Sequence, residues 1–351
     1  MLCSRIPLSW DPPPFPSPNV HLAPRSNSRR DVAARQRSII LFALVIVWQS
    51  LGPVHVVPAA PLNVYSIGNS LTADLRAAGG IEFLSSAETR PMVHDYHVRC
   101  GSSLSGIVAN ITQTCIPPLA FGTLTEAFAA DATSPIDVVT LQPFYGATIR
   151  QEVAAARTII DTVRASDAGR DARILVYATW PAQADGPLHQ AWASQDASLD
   201  SLFRPSRKSY EIFLDAVRQF EPAASLIPAG HAWVAIAEAS ATPGSFSGVN
   251  GVTDLYRDDV HASNLGRYAA GLATYASLYG KSPEGLGSAW MYSLNGYGTA
   301  PQPTDLLKLQ EVVALTVQTV PEPSPLLAAL MVLAGVITAM RRASSSQRSR
   351  A

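Results

Sequence analysis

Between residues 62 and 280, short β-branched or apolar runs alternate with longer segments of helical periodicity, and this alternation leaves few folds open. The strand candidates are Leu62–Ile67, Met92–Val98, Asp137–Leu141, Arg173–Thr179 and Ser225–Pro228. Helices are expected at Gln151–Ser166, where Val153, Ile159, Ile160 and Val163 recur at near-helical spacing, at Ser206–Phe220 and at Asn264–Tyr279. Strands separated by helices are joined by crossovers, and crossovers make parallel neighbours. The expected fold class is therefore α/β, a parallel sheet with helices on both faces. In such sheets ligands bind beyond the carboxyl ends of the strands, so chemistry is sought just after each strand-like run.

The first such place is Asn63-Val64-Tyr65-Ser66-Ile67-Gly68-Asn69-Ser70-Leu71-Thr72, an apolar strand running straight into a turn. A serine there presents its hydroxyl at the sheet edge, Gly68 permits the tight turn, and the following amides can face an anionic oxygen. Asp258-Asp259-Val260-His261-Ala262-Ser263-Asn264 supplies a complement. A hydroxyl nucleophile needs an imidazole to take its proton, and the imidazole needs a carboxylate to fix its tautomer. Asp258, three residues before His261, can fold back to do so, whereas Asp259 is left to solvent or to cap the helix that begins near Ser263. The Gly-x-Ser-x-Gly elbow of α/β-hydrolases is missing, since Thr72 stands where the second glycine would be.

Together, Gly-Asn-Ser-Leu after the first strand and Asp-x-x-His before the last helix resemble the end blocks of SGNH/GDSL hydrolases, over about residues 62–280. The resemblance implies a three-layer αβα sandwich with a flavodoxin-like parallel sheet, and ester hydrolysis by Ser70, His261 and Asp258. Arg99-Cys100-Gly101-Ser102-Ser103 resembles the block whose glycine donates a backbone N–H to the oxyanion, which makes Gly101 the counterpart. Where the family has Gly-x-Asn-Asp, this chain reads Val138-Val139-Thr140-Leu141-Gln142-Pro143-Phe144. Gln142 carries the same amide on one more methylene and is assigned, with the Ser70 amide and Gly101, to the oxyanion hole. Because that is a departure from the pattern, a catalytically weak, glycan-binding protein on the same fold is the alternative to an esterase.

Trp180 and Tyr145 also follow strand candidates. They are read as a substrate wall, with a place in the core the other reading for Trp180. His231 reads as a helix-start or core residue. Cys100 and Cys115 lie 15 residues apart and either close a disulfide in an oxidising compartment or stay free in the cytosol. No Cys/His/Asp cluster has metal-ligand spacing, and no GxGxxG or GxxxxGK[ST] loop occurs, so neither metal nor cofactor is expected. Residues 60–320 hold 16 Lys and Arg against 24 Asp and Glu, a net charge of −8. Such a body repels polyanions, and nucleic acid is not expected as a partner.

The two ends read as addresses. Arg29, Arg30, Arg35 and Arg37 lead into an apolar run from Ile39 to Trp48, about 15 Å as a helix and too short for a hydrocarbon layer of about 30 Å. Gly52 and Pro53 then break it, and Val57 and Ala59 suit a signal peptidase; residues 1–60 are thus a signal peptide with an irregular N-terminal extension. Residues 61–300 form the hydrolase domain, with a loop-rich stretch from Gly280 to Pro301, and 301–319 a helix, opened by Pro303, with a linker. Residues 320–351 join a Pro-rich start, an apolar run from Leu326 to Met340 and Arg341-Arg342. This order resembles the PEP-CTERM sorting signal of bacterial exported proteins and implies an exosortase-type enzyme, transient membrane anchoring and a cell-surface or matrix destination. The expected partners are thus a small-molecule or glycan ester and the export and sorting machinery. Intact-mass measurement of exported protein is expected to find a chain that starts near residue 60 and lacks the stretch after Pro325; retention of residues 1–59 would refute the first half.

Overall fold

The computed structural model describes residues 59–76, 80–287, 298 and 301–320. Most of both expected address signals, and most of the Gly280–Pro301 stretch, lie outside the described residues. Five strands form one parallel sheet: β1 (Leu62–Gly68), β2 (Met92–Val98), β3 (Val138–Leu141), β4 (Arg173–Tyr177) and β5 (Ser225–Ile227). The helices are α1 (Ser70–Asp74), α2 (Gly80–Leu84), α3 (Leu104–Ala109), α4 (Leu124–Ala127), α5 (Ile149–Ala165), α6 (Leu188–Ala193), α7 (Arg207–Arg218), α8 (Ala229–Ser240), α9 (Asn264–Tyr279) and α10 (Leu306–Thr319).

The strand order β2-β1-β3-β4-β5 is the flavodoxin-like order. The chain steps outward from β1 to β2, then crosses back to β3 on the other side, so the order reverses between β1 and β3. Ligands in open α/β sheets bind at such a switch point, and Ser70 and Gln142 end the two strands that frame it. Register holds to the carboxyl edge: Leu62 pairs with Met92 and Gly68 with Val98, and Val64 pairs with Val138. Every residue of β3 is buried, as expected for a strand covered on both faces.

Helices α3, α5 and α7 pack together as one layer, and α2, α8, α9 and α10 as another. Helix α10 packs on α8 and α9. Leu309 and Val313 are fully buried, each contributing about 1.5–3 kcal/mol. Gln310 donates to the Tyr268 hydroxyl at 2.6 Å and to the Leu286 carbonyl at 2.7 Å. Among the described residues no helix is long and apolar enough to cross a membrane.

A buried carboxylate on α5 ties two loops of the carboxyl edge together. Glu152 accepts the Leu104 and Ser105 amides at the start of α3 and the Phe144 amide after β3, each at 3.0 Å. Burial pushes its carboxyl up, and those amides pull it back. Glu152→Ala leaves three N–H groups without their acceptor and is expected to cost about 3 kcal/mol or more in urea unfolding, with Glu152→Gln losing less. Equal stability of Glu152→Ala and wild type would show that these bonds do not hold the edge.

Candidate active site

The nucleophile candidate is set by a capped turn. Asn69 precedes α1 in extended conformation, and its Oδ1 accepts the Leu71 amide at 3.0 Å. The neighbouring turn is drawn in by backbone and side chain alike: the Arg99 amide donates to the Gly68 carbonyl at 3.0 Å, and Asn69 Nδ2 donates to the Ser102 carbonyl at 3.2 Å. Among the described residues, the amides of Ser70 and Gly101 have no protein acceptor. Gly101 is exposed at φ +66°, a conformation that favours glycine.

Ser70 Oγ lies 2.9 Å from His261 Nε2, across 191 residues of chain. The other ring nitrogen, Nδ1, sits 2.9 Å and 3.0 Å from the two Asp258 carboxylate oxygens. Asp258 Oδ1 also accepts the amides of His261, at 2.8 Å, and Val260, at 3.0 Å. Slight burial works to raise this carboxyl, but those amides and the His261 ring outweigh it and hold it at about 2. Its folded-state value is thus depressed, and the stability it contributes is present above the ordinary carboxyl range and is lost as pH falls from there through about 2. Asp259 offers only its backbone carbonyl, to the Gln183 amide at 2.8 Å, and its carboxylate is exposed. Such a line of hydroxyl, imidazole and carboxylate can draw the Ser70 proton onto Nε2 while Asp258 stabilises the imidazolium. A cleft of about 340 Å³ opens over Ser70 and His261, with Arg76, Tyr96 and Arg257 among its walls. A larger hollow of about 530 Å³, near Leu62, Arg90 and Arg173, lies where the strands begin, away from Ser70.

Three sequence assignments need correction. Gln142 is fully buried and turned into the protein: Oε1 accepts the Asn69 amide at 3.1 Å and the Thr72 hydroxyl at 2.7 Å, and Nε2 donates to Asn69 Oδ1 at 3.0 Å. It braces the serine turn and does not face an oxyanion. Trp180 is no substrate wall, being fully buried and stacked on Trp233 at 3.8 Å. Its Nε1 donates to the Val260 carbonyl at 2.8 Å, beside His261. Tyr145 does not line the cleft either. Its hydroxyl donates to Asp185 and accepts the Ala182 amide at 3.1 Å, and burial followed by Asp185 pushes its pKa well up. Cys100 and Cys115 are disulfide-bonded, their Cα atoms 5.7 Å apart. His231 sits in α8 edge-on to Trp192.

Sequence reasoning missed Asp74, which accepts the Ala262 amide at 3.1 Å and faces Arg257 at 3.5 Å. Burial raises its carboxyl, against Arg257 and the Ala262 amide. Its spacing four residues beyond Ser70, one helical turn on, was the available signal. Gln183, whose Nε2 donates to the Asp258 carbonyl at 2.8 Å, gave none. Among the described residues no cluster of His, Cys, Asp and Glu is arranged to hold a metal.

No protein-family model matches the sequence, and no curated protein is detectably similar. Among solved structures, a DUF4886 family protein from Bacteroides uniformis is 18% identical, with a TM-score of 0.46, over 75% of this chain and 98% of that one. A member of the lipolytic protein G-D-S-L family from Veillonella parvula is 14% identical, with a TM-score of 0.38, over 64% of this chain and all of that one. Likeness at this distance assigns no activity.

The turn itself offers a test. A Cβ at Gly68 would stand 2.2 Å from Thr72 Oγ1 and 2.6 Å from Gln142 Oε1. Gly68→Ala is expected to destabilise the fold by about 1–3 kcal/mol in urea titration; unchanged stability would contradict this close packing.

Proposed function

We propose that the chain is an exported serine ester hydrolase of the SGNH/GDSL type, acting on a small-molecule or glycan ester through an acyl-serine intermediate. The observation that carries the reading is the 2.9 Å contact of Ser70 Oγ with His261 Nε2, whose other nitrogen is held by Asp258. Ser70 Oγ attacks the ester carbonyl and its proton passes to Nε2. The oxyanion is met by the Ser70 and Gly101 amides, and collapse expels the alcohol, which takes the proton from Nε2. Water then attacks the acyl-serine with His261 as base, releasing the acid and restoring Ser70.

Support for export comes from the two terminal signals and from the Cys100–Cys115 disulfide, a bond that persists in oxidising compartments. The commitment of Gln142 to Asn69 favours a second reading, a glycan-binding protein with weak or no activity, because it removes the side-chain donor from the oxyanion hole.

One set of measurements decides between them. Wild-type protein is expected to be labelled covalently at Ser70 by a fluorophosphonate, read by mass spectrometry, and to hydrolyse phenyl acetate; Ser70→Ala loses both while remaining folded. Asp258→Asn is expected to lower kcat by up to ~10⁴-fold with little change in KM, and Asp259→Asn to stay near wild type. Absence of labelling and turnover favours the binding protein. A crippled Asp259→Asn beside a normal Asp258→Asn would overturn the assignment of the carboxylate.

A further inference from the structure

The cleft over Ser70 is walled by two arginines, and they are not equivalent. Arg257 is committed to the protein: its guanidinium lies 3.5 Å from Asp74 and 3.7 Å from Asp258, on the loop that carries His261. Arg76, just beyond α1, pairs with one carboxylate and makes no hydrogen bond to it. That carboxylate is Glu82, whose Oε2 lies 3.6 Å from NH2, an ion pair longer than a hydrogen bond, while its Oε1 accepts the His94 amide at 2.9 Å. Among the described residues no acceptor takes any of the guanidinium N–H groups of Arg76, and its Nε is shut off from solvent. The group lies over the Tyr96 ring, 5.6 Å from its centroid, which restrains the guanidinium at the cleft wall without using its hydrogen-bonding edge.

An arginine side chain only 17% exposed, its guanidinium over an aromatic face and short of acceptors, is costly unless something completes it. It stands in the same small cleft as the nucleophile. We propose that the ester substrate carries a carboxylate close to the scissile bond and that Arg76, stacked on Tyr96, binds it. Arg76 and Arg257 line this cleft beside Asp74, so the wall that faces Ser70 carries two positive groups against one carboxyl. The inference rests on the ester-hydrolase reading and adds the class of substrate to it.

Matched esters test it. Phenyl hydrogen glutarate against phenyl pentanoate places the carboxylate on the acyl side, and 3-acetoxybenzoate against phenyl acetate places it on the leaving side. The full-length mature protein is expected to prefer the charged member of at least one pair by about ten-fold in kcat/KM. That preference is expected to shrink with added salt, to collapse in Arg76→Gln and to recover in part in Arg76→Lys. Arg170→Gln, which removes one positive charge from an exposed pair with Asp167 far from the cleft, should leave the ratio as in wild type. Hydrolysis of the neutral esters with no charged preference in either pair would overturn the inference alone, as would a preference that survives in Arg76→Gln. If no ester of either kind turned over and Ser70 stayed unlabelled, the hydrolase reading itself would fall. The salt dependence of the wild-type ratio keeps the question decidable should the Arg76 variants not fold.

Discussion

A carboxamide shut away from water must find its hydrogen-bond partners inside the protein, and Gln142 finds three of them in the Ser70 turn. Its oxygen takes one backbone and one hydroxyl proton while its nitrogen fixes Asn69, whose own nitrogen reaches across to Ser102. One buried side chain at the end of β3 thereby sets the turn after β1 and, through Asn69, the turn after β2. The three loops that meet at the sheet's switch point are one hydrogen-bonded body. Cutting it would leave several buried polar groups unpaired, each costing about 1–3 kcal/mol.

The base is held by a separate set of contacts from the other side of the edge. Trp180 Nε1 supports Val260, Gln183 grips the backbone of Asp258 and Asp259, and the Tyr256 hydroxyl donates to the Pro181 carbonyl at 2.7 Å. Asp74 bridges the two halves: its side chain takes the Ala262 amide, while its carbonyl accepts Arg267 Nε at 2.7 Å from α9. The alignment of Ser70 with His261 therefore depends on Trp180, which is buried away from the cleft, and on Asp74, which is buried at the cleft wall.

The parts legible in the sequence were those with a strong local signal. Met92–Val98 and Asn264–Tyr279 were placed to the residue, because an apolar run and a helical period bounded by Ser263 and Gly280 leave little choice. Helix α8 went unread because it is apolar almost all round, so Ala229–Ser240 shows no face to detect. Ser70, Asp258 and His261 could be named because the turn chemistry around each is local. Gln142 and Trp180 were misread for the opposite reason. Both stand at the correct edge of the sheet, but whether such a side chain turns out to a ligand or back into the protein is decided by partners far away in sequence, Asn69 and Thr72 for one, Trp233 and Val260 for the other.

The contact between Ser70 and His261 spans 191 residues, from the end of the first strand to the threshold of α9. Contacts of such long range form late, since the loop they close is costly until the intervening structure is in place. A chain with its sheet assembled but α9 still undocked holds a serine with no base beside it. On the proposed hydrolase reading, chemical competence is tied to completion of the fold, since partly folded forms hold Ser70 without His261 beside it.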